Sequence, residues 1–338
     1  MRHVVVLDDL REMEIRPTEL FGRYADLAET ECAKLAAAGD RLIPAVCPAC
    51  GETGRRPGFA KFGFAYHECA GCETLYVSPR PSQEQIRAYL QRSAVAEFRR
   101  SQLVKRTSEN RSEKIFRPRA QWVASLTKEW GRGAQSYADA FSKYEIFLER
   151  IADLRMFGRK YVVSAEPGIA ETCRPWGFEA LESLAGVPEP AGVAVVTAWE
   201  ILNSVQSPRE FLESIHKALA PGGLLFLTVV NRGGFDLQVL WGHGRNILPI
   251  DHLNLFSIEG LGRLLEDLGF RILELSTPGQ LDVEIVKSAL DEHPDLEVPR
   301  FIRYFLRHRG EAEAADFQEF LQRARLSSHT RIAAQRPA

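Results

Sequence analysis

The 338-residue sequence has no excess of charge of either sign and no long hydrophobic run. Its 43 Lys and Arg residues balance 45 Asp and Glu residues, for a formal net charge of -2. This balance argues against a nucleic-acid or membrane-surface partner. No stretch approaches the roughly 18 apolar residues of a spanning helix. The apolar run at residues 4–7 ends in Asp8 and Asp9, which is too short and too acidic for a signal peptide, so we expect a cytoplasmic protein.

Cysteine is also scarce, with six residues in the chain, but four of them form two pairs. Two residues separate Cys47 from Cys50 and Cys69 from Cys72, and 18 residues lie between the pairs. In a reducing compartment, paired cysteines indicate a metal rather than disulfides. Two pairs at this spacing predict a zinc ribbon whose four sulfurs hold a structural zinc ion. A redox dithiol is the alternative.

Apolar runs and helical segments alternate from about residue 120 to 286. Strands are predicted at 136–140, 161–163, 193–197, 224–230 and 271–275, with a further candidate at 283–286, and helices at 146–154, 208–219 and 258–268. This alternation predicts an α/β fold, with a doubly wound, Rossmann-like sheet that has helices on both faces.

We divide the chain into five parts. They are an N-terminal helical segment (1–45), the zinc-ribbon module (46–82), a helical linker (83–119), the Rossmann-like domain (120–286) and a C-terminal helical extension (287–338). An amphipathic helix predicted at 17–37 either docks a partner or packs on its own domain. The basic residues of the linker, such as Arg99 and Arg111, form a solvated helix face or meet an anionic partner.

Candidate site residues follow the predicted strands, at the edge where doubly wound sheets bind ligands. Asp139 lies at the end of the first strand, and Glu166 follows the second. An acidic residue in the position of Glu166 can accept hydrogen bonds from both hydroxyls of a cofactor ribose. The glycine fingerprint of an NAD-type dehydrogenase is missing, which makes that class a weak alternative.

The chain resembles class I S-adenosylmethionine (SAM) methyltransferases that carry an N-terminal zinc-binding domain with four cysteine ligands. That group includes sugar C-methyltransferases and proteins associated with surface polysaccharides. Most of the chain takes part in the resemblance, through the cysteine pairs and the segments at 76–82, 197–200, 221–223, 249–255, 269–270 and 277–283. The resemblance implies methyl transfer from SAM to a sugar or another small-molecule acceptor, in surface-polysaccharide or secondary metabolism.

The resemblance also implies roles for particular residues. The expected SAM contacts are Asp139, Phe141, Glu166, Trp199 and Glu200, and His252 is the expected general base on the acceptor. Each has a structural alternative, because the acidic residues can cap helices, Trp199 can fill the core, and His252 can be a structural loop residue. His243, which lies between two glycines, is a second candidate for a substrate-covering loop.

Two departures from the family pattern support a second hypothesis. The three glycine positions of the family's SAM loop are Phe141, Lys143 and Glu145 here, and the family's Glu-His pair is Asn203 and Ser204. A protein with these changes could have lost SAM and serve as a non-catalytic binding or scaffold protein beside a protein partner. The sequence leaves both hypotheses open.

Overall fold

The computed structural model describes residues 10–37, 39–131, 133–141, 144–164 and 168–338. Two β-sheets organise these residues, and helices cover both. Within the same ranges, no helix combines the length and the apolar character needed to cross a bilayer.

The smaller sheet contains the cysteine pairs and has the antiparallel strand order β1-β2-β3-β9. Its strands are β1 (Arg55–Lys61), β2 (Phe64–Cys69), β3 (Leu75–Val77) and β9 (Asn254–Leu255). Two helices precede it, α1 (Glu12–Ile15) and α2 (Thr18–Ala36). The apolar face of α2 packs against this sheet through Tyr24 and Cys32. The amphipathic helix predicted at 17–37 is therefore confirmed, and its apolar face is covered by its own protein.

The larger sheet has seven strands in the order β10-β11-β8-β7-β4-β5-β6. They are β4 (Ser136–Ala140), β5 (Arg159–Val163), β6 (Phe178–Leu181), β7 (Val193–Trp199), β8 (Leu219–Val230), β10 (Arg271–Ser276) and β11 (His329–Gln335). The five strands from β8 to β6 are parallel, and β11 runs antiparallel to both of its neighbours. The chain reverses direction across the sheet between β4 and β7, so the doubly wound α/β fold is confirmed.

Helices lie on both faces of this sheet, and this explains why its central strands are almost wholly apolar. One face is covered by α6 (Arg117–Trp130), α7 (Glu145–Asp153) and α8 (Ile169–Cys173). The other is covered by α9 (Pro208–Ala218) and α11 (Ile258–Asp267). Serine caps start both helices of the second face: Ser207 and Ser257 each accept a hydrogen bond from a first-turn backbone N–H.

The linker between the two sheets is helical, as predicted. It contains α3 (Gln83–Arg92), α4 (Ala94–Phe98) and α5 (Ser108–Arg111), with π-helical turns at Arg99–Val104 and Ser112–Phe116. The side chains of Ser82 and Gln85 form a capping box that starts α3. Arg99 is buried, so the prediction of a purely solvated basic face is wrong at this residue.

Two sequence predictions are wrong at the C-terminal end. The candidate strand at 283–286 belongs to the helix α12 (Asp282–Glu292). Its apolar residues Val283, Val286 and Ala289 recur at helical spacing and pack in one cluster with Leu321. A four-residue apolar run fits a strand or a helix equally well, and here the tertiary contacts decide.

The extension at 287–338 is helical only in part. After α10 (Phe235–Leu240) and α12, the helices α13 (Arg300–His308) and α14 (Glu311–Arg323) complete a helical layer. The chain then returns as β11, which pairs along its whole length with β8 and carries the buried Ile332 and Ala334. The polar residues at the start of β11 hide this central strand from a sequence pattern.

Candidate functional site

The four paired cysteines converge at one end of the smaller sheet. Their Sγ atoms all lie within 4.8 Å of one another, with 3.5 Å between Cys47 and Cys72 and between Cys50 and Cys69. The residue after each pair, Gly51 or Glu73, adopts a left-handed backbone conformation that closes the turn. Gly71, inside the second pair, is not in that conformation. The spacing thus produces the two matched turns of a four-sulfur site.

The cysteine cluster fits a tetrahedral metal ion. Burial raises the pKa of the Cys50 thiol, so its thiolate needs a nearby cation. Four thiolates leave no open coordination position, which suits a structural ion rather than a catalytic one. The cluster also contacts the helices of the larger sheet, because the Ser257 hydroxyl at the start of α11 donates a hydrogen bond to the Cys72 carbonyl. His67 is not a fifth ligand, since its Nε2 lies 3.0 Å from the Ser78 carbonyl oxygen.

Asp139 lies within the larger sheet, one residue before the end of β4. Its carboxylate is fully buried and accepts a 2.6 Å hydrogen bond from the Thr197 hydroxyl. The Tyr137 hydroxyl lies 2.5 Å from the same Thr197 oxygen. Asp139 therefore braces β4 against β7, and it does not cap the following helix, which begins at Glu145 without a side-chain cap.

Phe141 occupies the first glycine position of the family loop. It has a φ of +63°, the left-handed conformation that glycine adopts at no steric cost. Its ring packs against Phe211 of α9, with the ring centres 5.8 Å apart. At Phe141 the backbone thus keeps a conformation that favours glycine, and the ring extends into the α9 layer. Lys143 and Glu166 lie outside the described residues, so the ribose role of Glu166 stays a prediction.

Trp199 and Glu200 end β7 and have different environments. Trp199 is buried and packs edge-on against Phe147, with ring centres 4.8 Å apart, so it fills the core. Glu200 has a φ of +56°, and its half-exposed carboxylate lies 3.3 Å from Arg119. Strained residues of this kind cluster at binding sites. Of the two, Glu200 is the one that a ligand can reach.

His252 lines a cavity above the carboxyl ends of the strands. Its Nδ1 lies 3.1 Å from the backbone nitrogen and 3.2 Å from the carbonyl oxygen of Leu248. Nδ1 accepts a hydrogen bond from the nitrogen in one tautomer and donates to the oxygen in the other, and in the neutral ring Nε2 takes the opposite role. The carboxylate of the neighbouring Asp251 accepts hydrogen bonds from Tyr24 and Tyr89. His243 is exposed and is not among the residues that line this cavity.

Asn203 and Ser204, which replace the family's Glu-His pair, have structural contacts. The Asn203 side chain donates to the Asn254 carbonyl at 2.6 Å and accepts from the Val230 N–H at 3.1 Å. It therefore joins the ends of the two sheets. Ser204 is buried and donates to the Ile201 carbonyl.

The cavity has a volume of about 310 Å³. Its floor is formed by the carboxyl ends of β7 and β8 and the start of β11, and its walls by the N-terminal segment, the linker, α6 and α12. Sequence reasoning missed Arg119, Tyr144, His329 and Arg331, which all line it. No sequence signal marks His329, since the strand that carries it was not predicted.

A family model described as a methyltransferase domain matches residues 70–275, more than half of the chain. The chain belongs to the methyltransferase-domain family. It is a class I SAM-dependent methyltransferase, and the strand order of its larger sheet is that of the fold predicted from the sequence. The match begins inside the cysteine module and ends at β10, so the N-terminal segment, α12 and β11 that enclose the cavity lie outside it.

No curated protein matches the chain. The solved structures to which the chain is similar include the N-methyltransferase NodS from Bradyrhizobium japonicum WM9. It is 13% identical with a TM-score of 0.40, and the alignment covers 67% of this chain and 99% of that one. An S-adenosylmethionine-dependent methyltransferase from Mesorhizobium loti is 14% identical with a TM-score of 0.40, over 64% of this chain and 98% of that one. Similarity this low says nothing about the acceptor.

Proposed function

We propose that this methyltransferase acts on a small-molecule acceptor, a sugar or a sugar-linked compound, that binds in the cavity above β7 and β8. The observation that carries the proposal is the cavity itself, with the strained Glu200 on its wall. Carboxyl ends of the strands are where doubly wound folds bind their ligands. A volume of about 310 Å³ suits a compound of monosaccharide size.

The residues at the end of β4 fit SAM. Phe141 has the left-handed backbone conformation that glycine favours, and its ring rests on Phe211. Glu166 would accept hydrogen bonds from the ribose hydroxyls, and Asp139 would hold the loop in place from inside the sheet. When bound, SAM supplies a methyl group on a positively charged sulfur, an excellent leaving group.

The chain's own residues would then mainly position the acceptor. Glu200 would orient a hydroxyl or amine at the cavity wall, next to Arg119. His252 would accept the acceptor's proton at Nε2, in the tautomer whose Nδ1–H donates to the Leu248 carbonyl. The cysteine cluster would hold a structural zinc ion that ties the smaller sheet to α11.

The first experiment is a calorimetric titration of the full-length, zinc-loaded protein with SAM and S-adenosylhomocysteine. We expect micromolar binding, and we expect Glu166→Ala to weaken it at least tenfold because two ribose hydrogen bonds are lost. Glu171→Ala, on the exposed side of α8, is the matched control and should leave the affinity unchanged.

The proposal would be contradicted if the wild-type protein is folded but does not bind SAM at millimolar concentration. The non-catalytic hypothesis would then account for the protein. If SAM binds but Glu166→Ala has no effect, the cofactor is held in a different orientation.

A further inference from the structure

Four side chains that line the cavity have buried polar atoms with no hydrogen-bond partner among the described residues. They belong to Arg119, Thr228, Asn246 and Gln280. Buried polar groups in proteins are normally paired, and each unpaired group costs about 1–3 kcal/mol. Several such groups around one cavity indicate a polar ligand that completes their hydrogen bonds.

The wall of the cavity carries many charged side chains. Six cationic side chains line it, against four carboxylates. The cations are Arg16, Arg99, Arg111, Lys114, Arg119 and Arg331. Among the carboxylates, burial beside Asp282 raises the pKa of Asp236 to about 7, so this group carries only part of a charge at neutral pH. Three of the cations already have carboxylate partners: Lys114 pairs with Glu14, Arg16 with Glu12 and Arg331 with Glu274. The case for an anionic ligand therefore depends on Arg119.

Two of these cations are fixed in place by tryptophan rings. The Cζ of Arg119 lies 4.9 Å from the ring centre of Trp199, and that of Arg331 lies 4.7 Å from the ring centre of Trp122. The ring centres of the two tryptophans are 6.3 Å apart. Cation–π contacts of this kind compensate part of the cost of burying a guanidinium. Both arginines are thus held rigidly at the cavity.

Arg119 is the better placed of the two for a ligand. Its side chain is only 7% exposed, and one of its terminal nitrogens, Nη2, lies 3.3 Å from Glu200. The other, Nη1, has no partner in the described part of the chain. Arg331, by contrast, donates to Ser276 and lies 3.3 Å from Glu274. A guanidinium with one unused edge matches a carboxylate or phosphate oxygen.

His329 adds a neutral group beside these charges. Burial and nearby positive charge together lower its pKa to about 4. The positive charges are those of Arg119, Arg331 and Arg16, while Glu200 acts in the opposite direction. The imidazole is therefore neutral at physiological pH and can donate or accept a hydrogen bond. An anion bound nearby would offset the arginine charges and favour protonation of His329.

We propose that the acceptor is an acidic small molecule whose carboxylate or phosphate binds Arg119, and whose hydroxyl or amide groups meet Thr228, Asn246 and Gln280. This inference rests on the proposed function, because it assigns the chemical class of the acceptor at the same cavity. It places the anionic group on the Arg119 side of the cavity, where Glu200 and His329 flank it.

The test is calorimetric titration of the full-length protein with three probes: glucose 6-phosphate, glucuronate and glucose. We expect one or both charged probes to bind at least tenfold more tightly than glucose, since a charge-assisted bond is the stronger kind. A comparison of glucose 6-phosphate with glucuronate identifies whether the cavity prefers a phosphate or a carboxylate. Arg119→Gln should abolish the difference between the charged and neutral probes.

Arg117→Gln is the matched control, because Arg117 is on the same helix, exposed, and paired with Glu113 outside the cavity. It should leave all three affinities unchanged. Equal loss in both variants, or no preference of the wild-type protein for the charged probes, would overturn the proposal.

A second measurement does not need Arg119→Gln, in case that variant does not fold. Titrations at pH 6 in buffers of different ionisation enthalpy report proton uptake on binding. We expect uptake with glucuronate, whose carboxylate is already fully ionised at pH 6, and His329→Gln should reduce it. Anion binding without proton uptake would contradict the placement beside His329. Binding of S-adenosylhomocysteine, measured separately, shows whether a failure concerns this inference or the proposed function.

Discussion

The cysteine cluster and the cavity are both made of polar side chains brought close together, but they are assembled differently. All four cysteines lie within residues 47–72 of the chain. The cavity takes residues from the N-terminal segment, the linker, three strand ends and the C-terminal return. A site closed by local turns can be read from spacing, whereas a site closed by distant segments requires the fold.

Breaking the local site should give the largest effect. Cys50→Ser removes one thiolate from a cluster in which two Sγ atoms are 3.5 Å apart, so we expect loss of bound zinc and of at least about 4 kcal/mol of unfolding free energy. The measurement is metal content together with denaturant unfolding. Cys173→Ala, at a lone buried cysteine, is the control and should keep the metal. Equal metal content in both variants would refute the zinc assignment.

The cavity can be disturbed through a single close backbone contact. A Cβ on Gly234 would lie only 2.8 Å from the backbone nitrogen of Ser328, just before β11, and closer still to its Cα. Gly234→Ala should therefore push the start of β11 away, cost about 3 kcal/mol and weaken binding of the charged probes. Gly186→Ala has open space around the new methyl group and should be neutral. A neutral Gly234→Ala would mean that the C-terminal return adapts to the change.

The sequence predicted five of the seven strands of the larger sheet, because β5, β7 and β8 each contain a short apolar run and helical segments separate these runs. It missed the short strand β6. It missed β11, whose first half is His329, Thr330 and Arg331, since a polar edge facing a cavity breaks the apolar pattern of a buried strand. The residues of β11 that line the cavity are thus the ones that conceal the strand. Arg119 was hidden for a related reason, as one more charge in a charged linker.

At the cavity, we expect the buried His329 to make the free energy of unfolding depend on pH. Its folded-state pKa of about 4 lies below the ordinary value of 6.5, so the fold favours the neutral imidazole. This stability is fully present above pH 6.5 and is lost as the pH falls through 4, by about 3 kcal/mol. Unfolding of His329→Gln should lack this part of the acid sensitivity. The exposed His308→Gln should retain it; identical pH profiles for all three proteins would disprove the role of His329.

We expect the smallest effect from a substitution of Trp199, which tests whether this residue fills the core or contacts the cofactor. Trp199 is 1% exposed, it packs against Phe147 and Arg119, and its indole N–H has no partner within the described ranges. Trp199→Phe should cost only about 1 kcal/mol, because apolar contact is mostly kept and an unpaired donor is removed. Its affinity for S-adenosylhomocysteine should match that of the wild-type protein. A tenfold weaker affinity with unchanged stability would instead identify Trp199 as a cofactor contact, and the prediction from the resemblance would then hold against the packing seen here.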